Sequence, residues 1–115
     1  MTTLKEQKIV LAKKDSQGVT GEEKKSFLQQ LPEWGIIERE GIPRLERTYN
    51  FKNFVEALEF TNRVGGLAEE IDHHPAILLT WGRATVSWWT HIIEDLHIND
   101  FIMAARTDDI YQAWE

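Results

Sequence analysis

Apolar residues along this chain recur with two periods, and the switches between them mark out the elements. Phe27, Leu28 and Leu31 form one stripe at helical spacing. Thr20 precedes the stripe with Glu23 three residues on, the reciprocal capping pattern of a helix start, and Pro32 follows it as a stop. A first helix is predicted over about Gly21 to Leu31. Trp34, Ile36 and Ile37 then lead into a Gly41-Ile42-Pro43 turn, after which Leu45, Arg47 and Tyr49 alternate with Glu46, Thr48 and Asn50. That alternation is the period of a half-exposed strand, so the stretch reads as two short antiparallel strands. Asn50 can cap a second helix, in which Phe54, Val55, Leu58, Thr61, Asn62, Gly65 and Ala68 to Ile71 return at helical spacing until Pro75 ends it. Gly65-Gly66 weakens the middle of that helix by about 1 kcal/mol per glycine relative to alanine. Ile77 to Trp81 and Ala84 to Trp89 are two β-rich runs joined at Gly82-Arg83, a hairpin. Asn99 or Asp100 caps a last helix carrying Phe101, Ile102, Ala105, Ile110 and Ala113. The order is α-β-β-α-β-β-α. Helices separated by hairpins predict an α+β fold, a four-stranded antiparallel sheet with three helices on one face. Residues 1–18 show neither period and read as an N-terminal arm or edge element, leaving 19–115 as a single domain.

Composition narrows the classes. A chain of 115 residues, 42% hydrophobic and 28% charged, builds one compact core. With no cysteine it has neither disulfides nor thiolate metal sites. A formal charge of −6 argues against a surface that binds nucleic acid by neutralising phosphates. No stretch approaches the roughly 18 apolar residues that span a bilayer, and the N-terminus has no signal-like apolar core, so a cytoplasmic protein without membrane contact is expected.

The chemistry concentrates in one window. All four histidines, His73, His74, His91 and His97, lie between Ile71 and Ile98. Imidazoles exchange protons at neutral pH without a cofactor, and carboxylates beside them, here Glu69, Asp72, Asp95 and Asp100, fix their tautomers. The plainer readings are that His73 or His74 caps a helix end, that His91 ends an edge strand in solvent, and that His97 is a surface residue. Zinc is disfavoured, because adjacent histidines diverge and His91 to His97 is not the i, i+4 repeat of two ligands on one helical face. No phosphate-binding glycine loop or nucleophile elbow is present. Trp88 and Trp89 must face opposite sides of their strand, so one of them is exposed, covers a subunit contact or lines a pocket.

The string Glu69-Glu70-Ile71-Asp72-His73-His74-Pro75, followed by Trp81, Thr90-His91 and Asp100, resembles the signature of the pterin-4a-carbinolamine dehydratases. That signature has an acidic residue four before a His-His-Pro, an aromatic six after the proline, a histidine ten further on and an aspartate nine beyond it. Glu69, Pro75, Trp81, His91 and Asp100 meet each offset. Leu31 to Trp34 and Tyr49 to Phe54 look like two further family segments, and the likeness runs from about Val19 to the C-terminus.

The resemblance implies dehydration of 4a-hydroxytetrahydropterin to quinonoid dihydropterin, the recycling step after aromatic amino acid hydroxylation, with no metal or organic cofactor. It implies His73 and His91 as the acid/base pair, His74 on the pterin, Asp100 or Glu69 orienting the site and Trp81 flanking the ring; Asp72, Pro75 and Thr90 complete the expected substrate-binding set. Two departures stand out: Glu70 where the family commonly has lysine, and Asp95-Leu96-His97 where it has a Gly-Leu-Thr/Ser stretch. Both are expected to make the cleft more acidic. A second reading is a non-catalytic dimerisation or regulatory module that binds a transcription regulator through an exposed stripe on the last helix, around Phe101, Ile102, Ala105 and Tyr111. A homodimer or homotetramer is expected in either case, from the two-faced tryptophan hairpin and that apolar helix.

Overall fold

The computed structural model describes residues 3–115. Helix α1 spans Gly21–Gln29, and its start is the predicted capping box: the Thr20 hydroxyl accepts from the Glu23 amide at 3.1 Å and the Glu23 carboxylate accepts from the Thr20 amide at 2.8 Å. Strands β1 (Gly35–Arg39) and β2 (Ile42–Asn50) form a hairpin closed by Glu40 and Gly41. Both turn residues have positive φ, 54° and 79°, the backbone twist that a two-residue hairpin loop requires. The turn is thus Glu40-Gly41, and Ile42 and Pro43 belong to the strand. β2 is also longer than expected. Pro43 is tolerated there because it pairs with Glu38 before pairing with the next strand begins at Leu45.

Because β2 runs on to Asn50, paired with Arg83, Asn50 is not a helix cap. Asn53 is: its side chain accepts from the Glu56 amide at 2.9 Å and opens α2, Phe54–Ile71. This helix ends before Pro75, at Asp72, which takes the left-handed conformation (φ 61°). Strands β3 (Ala76–Thr80) and β4 (Arg83–Trp88) complete a sheet of order β1-β2-β4-β3, antiparallel throughout. The last helix, α3, spans Ile98–Tyr111 and starts two or three residues earlier than the Asn99 or Asp100 cap would set it, because His97 takes the capping position. The element order and the four-stranded sheet with its three helices match the expectation.

One core lies between sheet and helices. Leu45, Tyr49, Val86 and Trp88 from the sheet meet Phe60 and Val64 of α2 and Phe101, Ile102 and Met103 of α3, all at 1% exposure or less. Phe101 and Ile102 therefore face inward, and Ala105 and Tyr111 are partly buried against the same core. The exposed stripe expected on the last helix is absent, since both sides of α3 are covered, by the sheet and by the N-terminal arm. That arm joins no strand. A 3₁₀ turn at Leu4–Glu6 buries Leu4 to 1% exposure beside α3, and the Arg106 guanidinium donates to the carbonyls of Lys5 (3.2 Å) and Gln7 (2.8 Å). Among the described residues no helix is long and apolar enough to cross a membrane.

Candidate active site

The left-handed turn at Asp72 is what aims the histidine pair. The amide of His73 still bonds back to the Ala68 carbonyl at 3.1 Å, so the chain leaves α2 tightly and carries His73 inward while His74 stays out. His73 stacks on buried Trp88, with ring centroids 5.6 Å apart and planes within 7°. Its Nε2 meets Asp100 Oδ1 at 2.7 Å. Asp100, in the first turn of α3, is fully buried and accepts two further bonds at Oδ2, from the Thr90 hydroxyl (2.8 Å) and the His97 amide (2.9 Å). A buried carboxylate held by three donors is fixed in place. It fixes His73 as the tautomer with its proton on Nε2, which leaves Nδ1 with no protein partner among the described residues.

His73 borders a hollow of about 300 Å³, at the lower end of the range of small-molecule sites, roughly 300–1,000 Å³. Three segments wall it: the end of α2 through His74, the stretch Thr90–Ile92 after β4, and residues Ile9–Ala12 of the arm, with Asn99 beside them. His91 is exposed at this wall and stacks on Trp89 at 4.4 Å, and the Arg44 guanidinium lies 4.0 Å from the centre of the same indole. The two tryptophans do divide between the faces: Trp88 is core, whereas half-buried Trp89 supports His91. His74 is exposed and meets the Glu69 carboxylate at 2.9 Å.

The structure thus gathers His73, His74, His91, Asp72 and Thr90 around one hollow, with Asp100 joined to it through His73 and Glu69 through His74. Pro75 continues from the pair into β3. Trp81 is not brought there: it stands 70% exposed at the β3–β4 turn, over a separate depression with Asn50, Phe51 and Arg83. The two departures lie outside the hollow as well. Glu70 is an exposed residue of α2, and Asp95 turns its carboxylate to the Leu96 amide (2.7 Å) beneath Gly18. A Cβ at position 18 would lie 2.6 Å from that carboxylate and 3.0 Å from the Leu96 carbonyl, so the arm passes closely here and a larger residue would make Asp95 shift. The expected acidification of the cleft is not supported by this placement. Among the described residues, no three His, Asp or Glu side chains converge to hold a metal ion.

His97 is the clearest correction. It is 7% exposed, not a surface residue, and its Nδ1 accepts from the Asn99 amide at 3.1 Å, so an imidazole does the work of a capping oxygen. Burial holds this imidazole below the ordinary histidine range, with Asp100 opposing the shift and His73 adding to it. Protonation would also turn the Nδ1 acceptor into a donor facing an amide. The unfolded chain then binds the proton more readily than the folded one, so stability contributed here is complete above about pH 6.5 and falls as the pH drops through the depressed folded value. His97→Ser, which retains a capping oxygen, is expected to narrow the gap between melting temperatures at pH 5 and pH 7.5. An unchanged gap would show that His97 does not titrate with unfolding.

Fold and site together define a class: a small α+β protein with a histidine–carboxylate couple at the junction of a helix end, a strand end and a helix start. The family model described as "Pterin 4 alpha carbinolamine dehydratase" matches residues 17–110. The chain belongs to that family. It is 54% identical over 111 residues to a protein of Marinobacter nauticus and 53% identical over 112 residues to one of Microcystis aeruginosa, both provisionally named pterin-4-alpha-carbinolamine dehydratase. These alignments cover 96% and 97% of this chain, and 100% and 97% of the relatives. A crystal structure from Brucella melitensis, described as a transcriptional coactivator/pterin dehydratase, superposes with a TM-score of 0.73 at 28% identity, covering 82% of this chain and 98% of that one.

Proposed function

We propose that this protein dehydrates 4a-hydroxytetrahydropterin to quinonoid dihydropterin, with His73 and His91 exchanging the two protons. The observation that carries this reading is the His73–Asp100 couple, 2.7 Å long and buried at the carboxylate, on a hollow that also holds His74 and His91. In the reaction the C4a–O bond breaks and the hydroxyl leaves as water once protonated. The N5 proton is removed, and its bonding pair closes the C4a–N5 double bond. One proton is consumed and one released, so no oxidant or reductant is needed. His73 suits the base: its free Nδ1 accepts the N5 proton, and Asp100 stabilises the imidazolium that results. His91, open to solvent on the indole of Trp89, suits the acid, because it can be reprotonated between turnovers. His74, oriented by Glu69, supplies a further polar contact to the ring.

Family membership supports this reading beyond the geometry. A partner-binding role of the kind named for the Brucella protein has less support here, since Phe101 and Ile102 of the α3 stripe are core and Ala105 and Tyr111 are partly buried against it. Stopped-flow measurement with the carbinolamine generated in situ tests the proposal. Dehydration is expected to run faster with the wild-type protein than without it, in proportion to protein concentration. A folded protein that leaves the spontaneous rate unchanged would overturn the proposal.

A further inference from the structure

The third wall of the hollow comes from a segment that precedes the family match at residue 17. Residues Ile9–Ala12 carry no regular secondary structure, yet they are held from both sides. The Asn99 side chain, 3% exposed, clamps the backbone of Val10 in both directions: its Oδ1 accepts from the Val10 amide at 3.0 Å and its Nδ2 donates to the Val10 carbonyl at 2.5 Å. Upstream, Arg106 holds the carbonyls of Lys5 and Gln7; downstream, the Val19 amide donates to the Leu96 carbonyl at 3.0 Å. A buried side-chain amide satisfied by the N–H and C=O of one residue specifies where that residue's backbone sits. What this placement exposes is apolar: Val10 is 57% and Leu11 78% exposed, at the rim of the hollow.

We infer that residues 9–12 form a strap that binds substrate, in which the aliphatic side chains of Val10 and Leu11 lie against the flat apolar face of the pterin and Asn99 acts as the positioning residue. The inference rests on the dehydratase reading and deepens it. A fixed backbone carrying exposed aliphatic groups beside a hollow lined by imidazoles gives a bicyclic heterocycle what the histidines do not, a dry surface for its face, and the gain falls on binding. The strap touches no atom that gains or loses a proton in the reaction, so its contacts act equally on the ground state and the transition state. Loss of such contacts raises KM and leaves kcat in place.

The test is steady-state dehydration kinetics together with quenching of tryptophan fluorescence by 7,8-dihydrobiopterin, a stable planar pterin. The proteins are wild type, Val10→Ser/Leu11→Ser, Asn99→Ala and the triple variant. The Val10/Leu11 variant changes only exposed side chains and should melt as wild type does. It is expected to raise KM and the dihydrobiopterin Kd about tenfold with kcat within twofold. Asn99→Ala should do the same, and the triple variant should be little worse than either, because clamp and side chains act through one contact. If wild type accelerates dehydration and binds dihydrobiopterin while the Val10/Leu11 variant matches it in both, the strap's role is overturned and the dehydratase reading stands. If wild type neither accelerates nor binds, both fall. A drop in kcat without a change in KM overturns the strap as a binding element.

Discussion

Replacing His73 by alanine is expected to lower kcat for carbinolamine dehydration by roughly two to four orders of magnitude, the span of a lost general base. His73 is the imidazole whose tautomer a fully buried carboxylate fixes: Nε2 is committed to Asp100, and the residue borders the hollow with Nδ1 unpaired among the described residues. The companion substitution Asp100→Asn separates orientation from presence. Three donors point at that carboxylate, from His73, Thr90 and the His97 amide, and an asparagine offers one oxygen and one donating amide. The oxygen can serve the Oδ2 pair, in which case the amide faces His73 and forces its proton onto Nδ1. The ring is then present with the wrong nitrogen free, and kcat is expected to fall by roughly 100-fold with KM little changed. Stopped-flow assays of both variants, with circular dichroism to confirm the fold, check this. A His73→Ala protein within a few-fold of wild type would remove His73 from the acid/base role.

Asp108→Ala is expected to cause a large loss of stability for a substitution outside the hydrophobic core. Asp108 Oδ1 receives three donors from three places in the chain: Trp34 Nε1 at 2.9 Å, Arg47 Nη1 at 2.7 Å and the Tyr49 hydroxyl at 2.5 Å. Burial and the neighbouring Asp108 charge push the Tyr49 phenol far above its ordinary range, so it remains a neutral donor. Removing the carboxylate strands a guanidinium that is 16% exposed, along with a fully buried hydroxyl. Breaking such a pair on one side costs about 2–4 kcal/mol, after a discount for the partial exposure of Asp108. In a domain of this size that lowers Tm by on the order of 10 °C. Asp108→Asn, which keeps an acceptor and loses the charge, should fall between. Thermal melts at neutral pH measure both, and an Asp108→Ala protein melting within about 2 °C of wild type would show that water replaces the carboxylate at no cost.

Much of the fold was legible because it rests on short-range rules. The Thr20–Glu23 box, the two hairpins and the alternation in β2 depend on neighbours within a few residues. So did the spacing that tied Glu69, His73, His91 and Asp100 to one family. Where two local answers were equally good, tertiary pairing chose. Asn50 and Asn53 are both adequate caps, and Asn53 won because Asn50 is held in the sheet by Arg83. His97 was missed for a related reason: an imidazole becomes a helix cap only when its Nδ1 is buried and unprotonated, and burial is not a local property.

The sequence by itself determined the element order, the α+β class and the residue types of the site, since periodicity, caps and motif offsets are properties of the chain. Tertiary structure alone decided which of those residues meet. It brought His73 to Asp100 through a left-handed turn and a stacking partner on β4, and it left Trp81 at the far turn. It folded α3 inward and laid Ile9–Ala12 beside the histidines by way of Asn99, 89 residues beyond Val10. A single buried amide joined to the backbone of a single residue leaves no periodic trace, because its partners are selected by where the packed helices end and not by their spacing along the chain.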